Sequence, residues 1–246
     1  MDHPMGHVAS PVTSAAELLT ISPVIPVVVI HDAQRAVPLA RALARAGIGV
    51  MEITLRTPAG LSAIERVAAE VPEIRVGAGT VTTAADVGNV ARVGAQFIVT
   101  PGSPDQLLAA ALDSGLPLLP GASTLTEIMR LREHGLTVVK FFPAEVSGGV
   151  RFLSDVAGPL PDLRFCPTGG ITLTSAPSYL ALSNVGCVGG SWLTPHDAVA
   201  AGDWARIEIL VRQCHDALAV NASRLRSCRP ATVEAQPSPT ATRPVS

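Results

Sequence analysis

Val50-Met51-Glu52-Ile53-Thr54-Leu55-Arg56 alternates apolar and polar side chains along an extended run. A strand sends successive side chains to opposite faces, so Glu52, Thr54 and Arg56 share one face while Met51, Ile53 and Leu55 take the other. Helical spacing flanks the run on both sides, over Ala36–Ala46 before it and Leu61–Val71 after it. An apolar face against helices and a polar face turned inward is the arrangement of a strand in a closed parallel sheet. The charged face then needs a reason, because buried parallel strands are ordinarily apolar.

The same beat extends outward along the chain. Short apolar runs recur at Val24–Ile30, Val50–Leu55, Ile74–Thr80, Phe97–Pro101, Leu116–Pro120, Val138–Phe142, Phe165–Thr168 and Val185–Gly190. Further helical segments include Asp105–Ser114 and Leu125–His134. Thr57-Pro58, Ser103-Pro104 and Ser123 stand where helices should start, and Gly47, Gly115 and Gly135 where helices should stop. Strands alternating with helices predict parallel βα units. Eight such units fit an α/β fold, the (β/α)8 TIM barrel, over residues 13–220. A doubly wound open sheet is the structural alternative, weakened because no G-x-G-x-x-G follows the first strand. Residues 1–12 and the Pro-rich 221–246 have little to bury and are expected to be disordered tails.

Composition narrows the function. The formal net charge is −2 and no Lys/Arg cluster carries interleaved aromatics, so no nucleic-acid partner is expected. No apolar run reaches membrane-spanning length and no signal-peptide pattern opens the chain, which suggests a cytoplasmic protein with no membrane partner. Cys166, Cys187, Cys214 and Cys228 lack C-x-x-C spacing and read as reduced thiols, and the six histidines are ungrouped, so no cysteine or histidine metal site is expected, while carboxylate-bound Mg²⁺ stays open.

Of the 18 basic residues, 17 are arginine and one is Lys140, in the apolar run Val138-Val139-Lys140-Phe141-Phe142. Surface positions here are given to arginine, so this position calls for an amine. Arginine stays protonated and cannot attack a carbonyl, whereas a lysine drawn into an apolar site gives up part of its preference for the charged form. A neutral amine forms imines, which points to a catalytic lysine. Arg56 closes its strand and should sit at the C-terminal rim, where barrel active sites assemble. The same spacing would also serve an internal Glu52–Arg56 ion pair. Two glycine pairs, Gly169-Gly170 and Gly189-Gly190, end the last two runs, where barrels commonly bind phosphate on backbone N–H groups. Gly77-Ala78-Gly79-Thr80 is a weaker signal, and Gly148-Gly149 reads as a rim loop or a turn.

Five segments in order resemble 2-keto-3-deoxy-6-phosphogluconate (KDPG) aldolases, a family that also carries 4-hydroxy-2-oxoglutarate (KHG) aldolase activity. They are Glu52–Thr57, Gly77–Val81, Lys140–Glu145, Arg164–Gly170 and Gly189–Leu193. The resemblance runs from about Ala15 to Val220. It implies a class I aldolase on a (β/α)8 barrel, usually a homotrimer, with no metal or other cofactor and a 2-keto acid as small-molecule substrate. By the same resemblance Lys140 is the Schiff-base lysine and Glu52 the general acid/base. Arg56 and Thr80 hold the substrate carboxylate, with Thr168 beside the substrate. Gly169, Gly170, Gly190 and Ser191 match the phosphate end. Two rival readings use the same residues: a phosphate-binding barrel isomerase or epimerase, and a noncatalytic sugar-phosphate-binding barrel with Glu52 and Lys140 as a structural ion pair.

Overall fold

The computed structural model describes residues 13–227, with side chains through Ala219. The N-terminal tail expected over residues 1–12 and the last part of the expected C-terminal tail, 228–246, lie outside the described residues.

Among the described residues nine strands run in parallel: β1 Val24–Val28, β2 Val50–Thr54, β3 Arg75–Gly79, β4 Ile98–Val99, β5 Leu118–Leu119, β6 Gly121–Ala122, β7 Val138–Phe141, β8 Arg164–Pro167 and β9 Val188–Gly190. They form a curled sheet in two pieces, ordered β5-β4-β3-β2-β1-β9 and β6-β7-β8. One helix precedes β1, and a helix follows every strand but β5. In chain order they are α1 Ala15–Ile21, α2 Ala36–Arg45, α3 Gly60–Glu70, α4 Ala84–Arg92, α5 Asp105–Asp113, α6 Leu125–Glu133, α7 Gly149–Val156, α8 Ala176–Leu180, α9 His196–Ala201 and α10 Trp204–Ser227. The last helix therefore runs past the boundary expected at residue 220. None of these helices is long and apolar enough to cross a membrane.

The run Leu116–Pro120, expected as one strand, is divided. Pro120 has no N–H to donate to a ladder. β5 before it pairs with β4, and β6 after it pairs with β7. The Pro120 carbonyl still accepts from the Lys140 N–H at 2.8 Å. Across the other division, single parallel bridges join Phe165 to Val185 and Thr168 to Gly189.

The alternation read from β2 sorts the core into two clusters. Met51 and Ile53 pack in the larger one, with α2 residues such as Leu39 and Leu43 and α3 residues such as Ile64 and Val67. Val50 belongs to a smaller cluster with Ile25, Phe97, Val99, Leu119, Val138, Cys166 and Cys187. Leu18 and Leu19 of α1 join that second cluster. Ser14 caps α1, its hydroxyl accepting from the Glu17 N–H at 3.3 Å.

The expected stops are seen as left-handed glycines, with φ of 96° at Gly47, 70° at Gly115 and 78° at Gly135. The starts differ in detail. Thr124, not Ser123, caps α6 in a reciprocal box with Glu127, while Ser123 donates to the same carboxylate. α3 begins after Ala59 and α5 after Pro104, neither with a side-chain cap.

Candidate active site

Lys140 lies within β7, and its Nζ stands 3.2 Å from Glu52 Oε1 of β2. The two side chains are 6% and 3% exposed. Every other ion pair among the described residues is at the surface. Burying two charges costs several kcal/mol of desolvation per ion, which their attraction repays only in part. A fold that needed only stability would do as well with apolar side chains here, so the pair points to chemistry. It also replaces the Glu52–Arg56 pairing that strand spacing allowed.

Glu52 is fixed from its neighbours. β2 pairs with β1 through Val27↔Glu52 and with β3 through Glu52↔Gly77. Gly79 passes so close that a Cβ there would sit 1.9 Å from Glu52 Oε1. Only glycine leaves room for the carboxylate. The Phe142 ring, 5.4 Å from Lys140 Nζ, adds an aromatic wall beside the amine.

Arg56 and Thr80 meet just beyond the ends of β2 and β3, with Arg56 Nε donating to Thr80 Oγ1 at 3.4 Å. Thr80 has φ of 57°, the one positive value among described residues other than glycine. A β-branched residue in that region is strained by roughly 1–3 kcal/mol, and such strain gathers at functional sites. Thr80 follows Gly79 directly, so the Arg56–Thr80 contact and the Glu52–Lys140 pair share one strand end.

Thr168 is buried beyond the end of β8. Its N–H donates to the Phe141 carbonyl at 2.9 Å, one residue from Lys140. Its hydroxyl packs over Gly189, where a Cβ would lie 2.2 Å away. Gly169 and Gly170 turn through φ of 102° and 79°. Gly190 is buried beneath the Trp192 ring, and Ser191 next to it is exposed. The residues singled out from sequence therefore stand at or just past the C-terminal ends of β2, β3, β8 and β9, except Glu52 and Lys140, which meet one level deeper, inside β2 and β7. Among the described residues no group of three His, Cys, Asp or Glu side chains could hold a metal ion.

Sequence reasoning missed Phe142, and it missed the hydrogen bond from Tyr179 to Glu145 at 2.7 Å. Tyr179 is the only tyrosine in the chain, which was a signal of the same kind as the single lysine.

The arrangement supplies a buried amine, a carboxylate within proton-transfer reach, a guanidinium at the rim and glycine-rich backbone beyond. Residues 15–210 match the family model described as KDPG and KHG aldolase. The chain is 50% identical over 201 residues to 2-dehydro-3-deoxy-phosphogluconate aldolase of Dickeya dadantii, covering 82% of this chain and 94% of that protein. It is 49% identical over 201 residues to the KHG/KDPG aldolase of Escherichia coli K12, with the same coverage. A solved KDPG aldolase from Legionella pneumophila, with pyruvate captured at low pH as a covalent carbinolamine intermediate, superposes with a TM-score of 0.80. It has 41% identity and covers 85% of this chain and 98% of that one. This chain belongs to the KDPG and KHG aldolase family.

Proposed function

We propose that the protein is a class I aldolase that cleaves KDPG to pyruvate and glyceraldehyde 3-phosphate through an imine on Lys140. It also cleaves KHG to pyruvate and glyoxylate in this reading. The observation that carries it is the buried 3.2 Å contact between Lys140 Nζ and Glu52 Oε1. Lys140 attacks the C2 carbonyl, and Glu52 moves the protons that turn the carbinolamine into an iminium with loss of water. Glu52 then takes the C4 hydroxyl proton, the C3–C4 bond breaks, and its electrons flow into the iminium to leave an enamine. The aldehyde departs, the enamine is protonated at C3, and hydrolysis frees pyruvate and the amine.

Arg56 and Thr80 hold the carboxylate in this scheme, fixing the keto carbon against Lys140. Thr168 lies beside the substrate, and Gly169, Gly170, Gly190 and Ser191 receive the phosphate. No step calls for a metal or cofactor. The two sheet pieces are read as one closed (β/α)8 barrel. The pairing of β5 and β6 on either side of Pro120 and the Thr168–Gly189 bridge support that reading. A homotrimer in the cytoplasm completes the proposal, supported by the family and by exposed Leu112, Leu125 and Met129 on α5 and α6.

The test is pyruvate release from KDPG and from KHG with a chelator present. Release from both, with the larger kcat/KM for KDPG, is the expected result. A protein that releases pyruvate from neither contradicts the proposal.

Thr80→Gly separates strain from grip. Relief of the left-handed threonine is offset by about 0.5–1 kcal/mol of added unfolded-state entropy. Stability should therefore stay within about 1 kcal/mol of wild type while KM rises several-fold through loss of the hydroxyl. A stability loss above about 2 kcal/mol in denaturant unfolding, with KM unchanged, would remove Thr80 from the carboxylate site.

A further inference from the structure

Gly169 and Gly170 are consecutive left-handed residues at the mouth of the fold, with Gly170 exposed. Glycine loses more conformational freedom on folding than any other residue, so two in a row hold one geometry only if neighbours fix them. The neighbours come from the segment after Lys140. Ala144 N–H donates to the Thr168 carbonyl at 2.8 Å, and Glu145 N–H donates to the Gly169 carbonyl at 3.1 Å. The Glu145 stem lies against Gly170, where a Cβ would meet Cγ at 2.6 Å and Cβ at 2.8 Å.

The carboxylate of Glu145 faces elsewhere. Its Oε1 accepts from the Tyr179 hydroxyl at 2.7 Å. Its Oε2 is 3.9 Å from where a Gly149 Cβ would stand, and that same position is 3.0 Å from the Tyr179 hydroxyl. Tyr179 belongs to α8, the helix that follows the glycine pair, and is 1% exposed. Burial first, and the Glu145 carboxylate second, push the tyrosine hydroxyl above its ordinary value, so it keeps its proton and remains the donor.

We propose that Glu145 and Tyr179 are positioning residues that set the preference for phosphorylated over unphosphorylated 2-keto acids. They hold the Gly169–Gly170 backbone in place and keep the Glu145 charge turned away from it. The inference rests on reading Gly169 and Gly170 as the phosphate end. With the tyrosine hydroxyl in place, Gly170 meets methylene carbons. Without it, the carboxylate is free to swing toward the loop, where it repels a phosphate. Neither residue contacts Lys140 or Glu52 through a hydrogen bond, so the imine chemistry should be indifferent to both.

The experiment uses Tyr179→Phe, which keeps the buried ring, and Tyr179→Phe combined with Glu145→Gln, which removes the freed charge. Steady-state KM and kcat are read on KDPG and KHG, together with borohydride trapping of pyruvate. Tyr179→Phe should raise KM for KDPG about fivefold to tenfold, an effect of the size expected for one ordinary hydrogen bond. KM for KHG and the yield of trapped pyruvate should stay within about twofold. Adding Glu145→Gln should return KM for KDPG most of the way, which a purely structural role for the tyrosine does not predict. Parallel changes on both substrates, no change on either, or no recovery in the double variant would each overturn the proposal. A wild-type protein with equal kcat/KM on KDPG and KHG would remove the phosphate-end reading and this proposal together. Wild-type preference for KDPG with an unaffected Tyr179→Phe would remove only the proposal.

Discussion

Lys140→Arg is expected to be inactive, with kcat/KM for KDPG reduced by about 10⁴-fold or more and no pyruvate trapped by borohydride. The substitution keeps the positive charge beside Glu52, so an enzyme that used Lys140 only as a cation would retain much of its rate. Guanidinium remains protonated and cannot add to the keto carbon. The same variant therefore separates imine chemistry from charge stabilisation, which is what an isomerase or epimerase would require. Loss of folding is controlled by a second route. Lys140→Met leaves the Glu52 carboxylate buried without its partner, which should cost roughly 3–5 kcal/mol. Combining it with Glu52→Gln removes the orphaned charge and should recover much of that loss in denaturant unfolding. Both proteins should be equally inactive despite their different stabilities, so inactivity would not trace to unfolding.

Glu52→Gln carries the second large effect. A positioned acid/base contributes roughly 10²–10⁴-fold, and the amide can neither take the C4 hydroxyl proton nor return one. Turnover of KDPG should fall by that factor. Trapped pyruvate should still form at Lys140, more slowly, because the amine is unchanged. The split between turnover and trapping is the diagnostic. A Glu52→Gln protein that turns over within about tenfold of wild type would place the base elsewhere. Gly79 gives this prediction a structural context. The glycine leaves space for the carboxylate and nothing larger, so the acid is held against the amine by backbone and not by a mobile neighbour.

These two residues were legible in the sequence because each breaks a local rule. A glutamate and a lysine inside apolar strands must be paired or functional, and both positions proved buried and in contact. Their mutual distance was not legible, since β2 and β7 are far apart in the chain and only the curl of the sheet brings them together. The alternation in Val50–Arg56 gave the correct sorting of Met51 and Ile53 toward the helices. Arg56 was read correctly as a rim residue, but Thr80 as its hydrogen-bond partner depends on a backbone turn that no propensity predicts for a threonine. The break at Pro120 was visible as a proline and still read as the end of one strand. Which neighbour each half pairs with is a tertiary property. α1 was missed as an element because a short capped helix has too few residues for a periodicity signal, and its two leucines acquire meaning only from the cluster they enter. Tyr179 stands out as the single tyrosine, but Glu145 lies on a separate segment and neither residue points to the other, so their hydrogen bond appears only in the folded chain.

The most direct measurement is peptide mass spectrometry of the protein after incubation with pyruvate and borohydride. A stable adduct is expected on the peptide containing Lys140 in wild type and in Glu52→Gln, and none in Lys140→Arg. A wild-type protein without the adduct, together with aldolase turnover retained in Lys140→Arg, would contradict it.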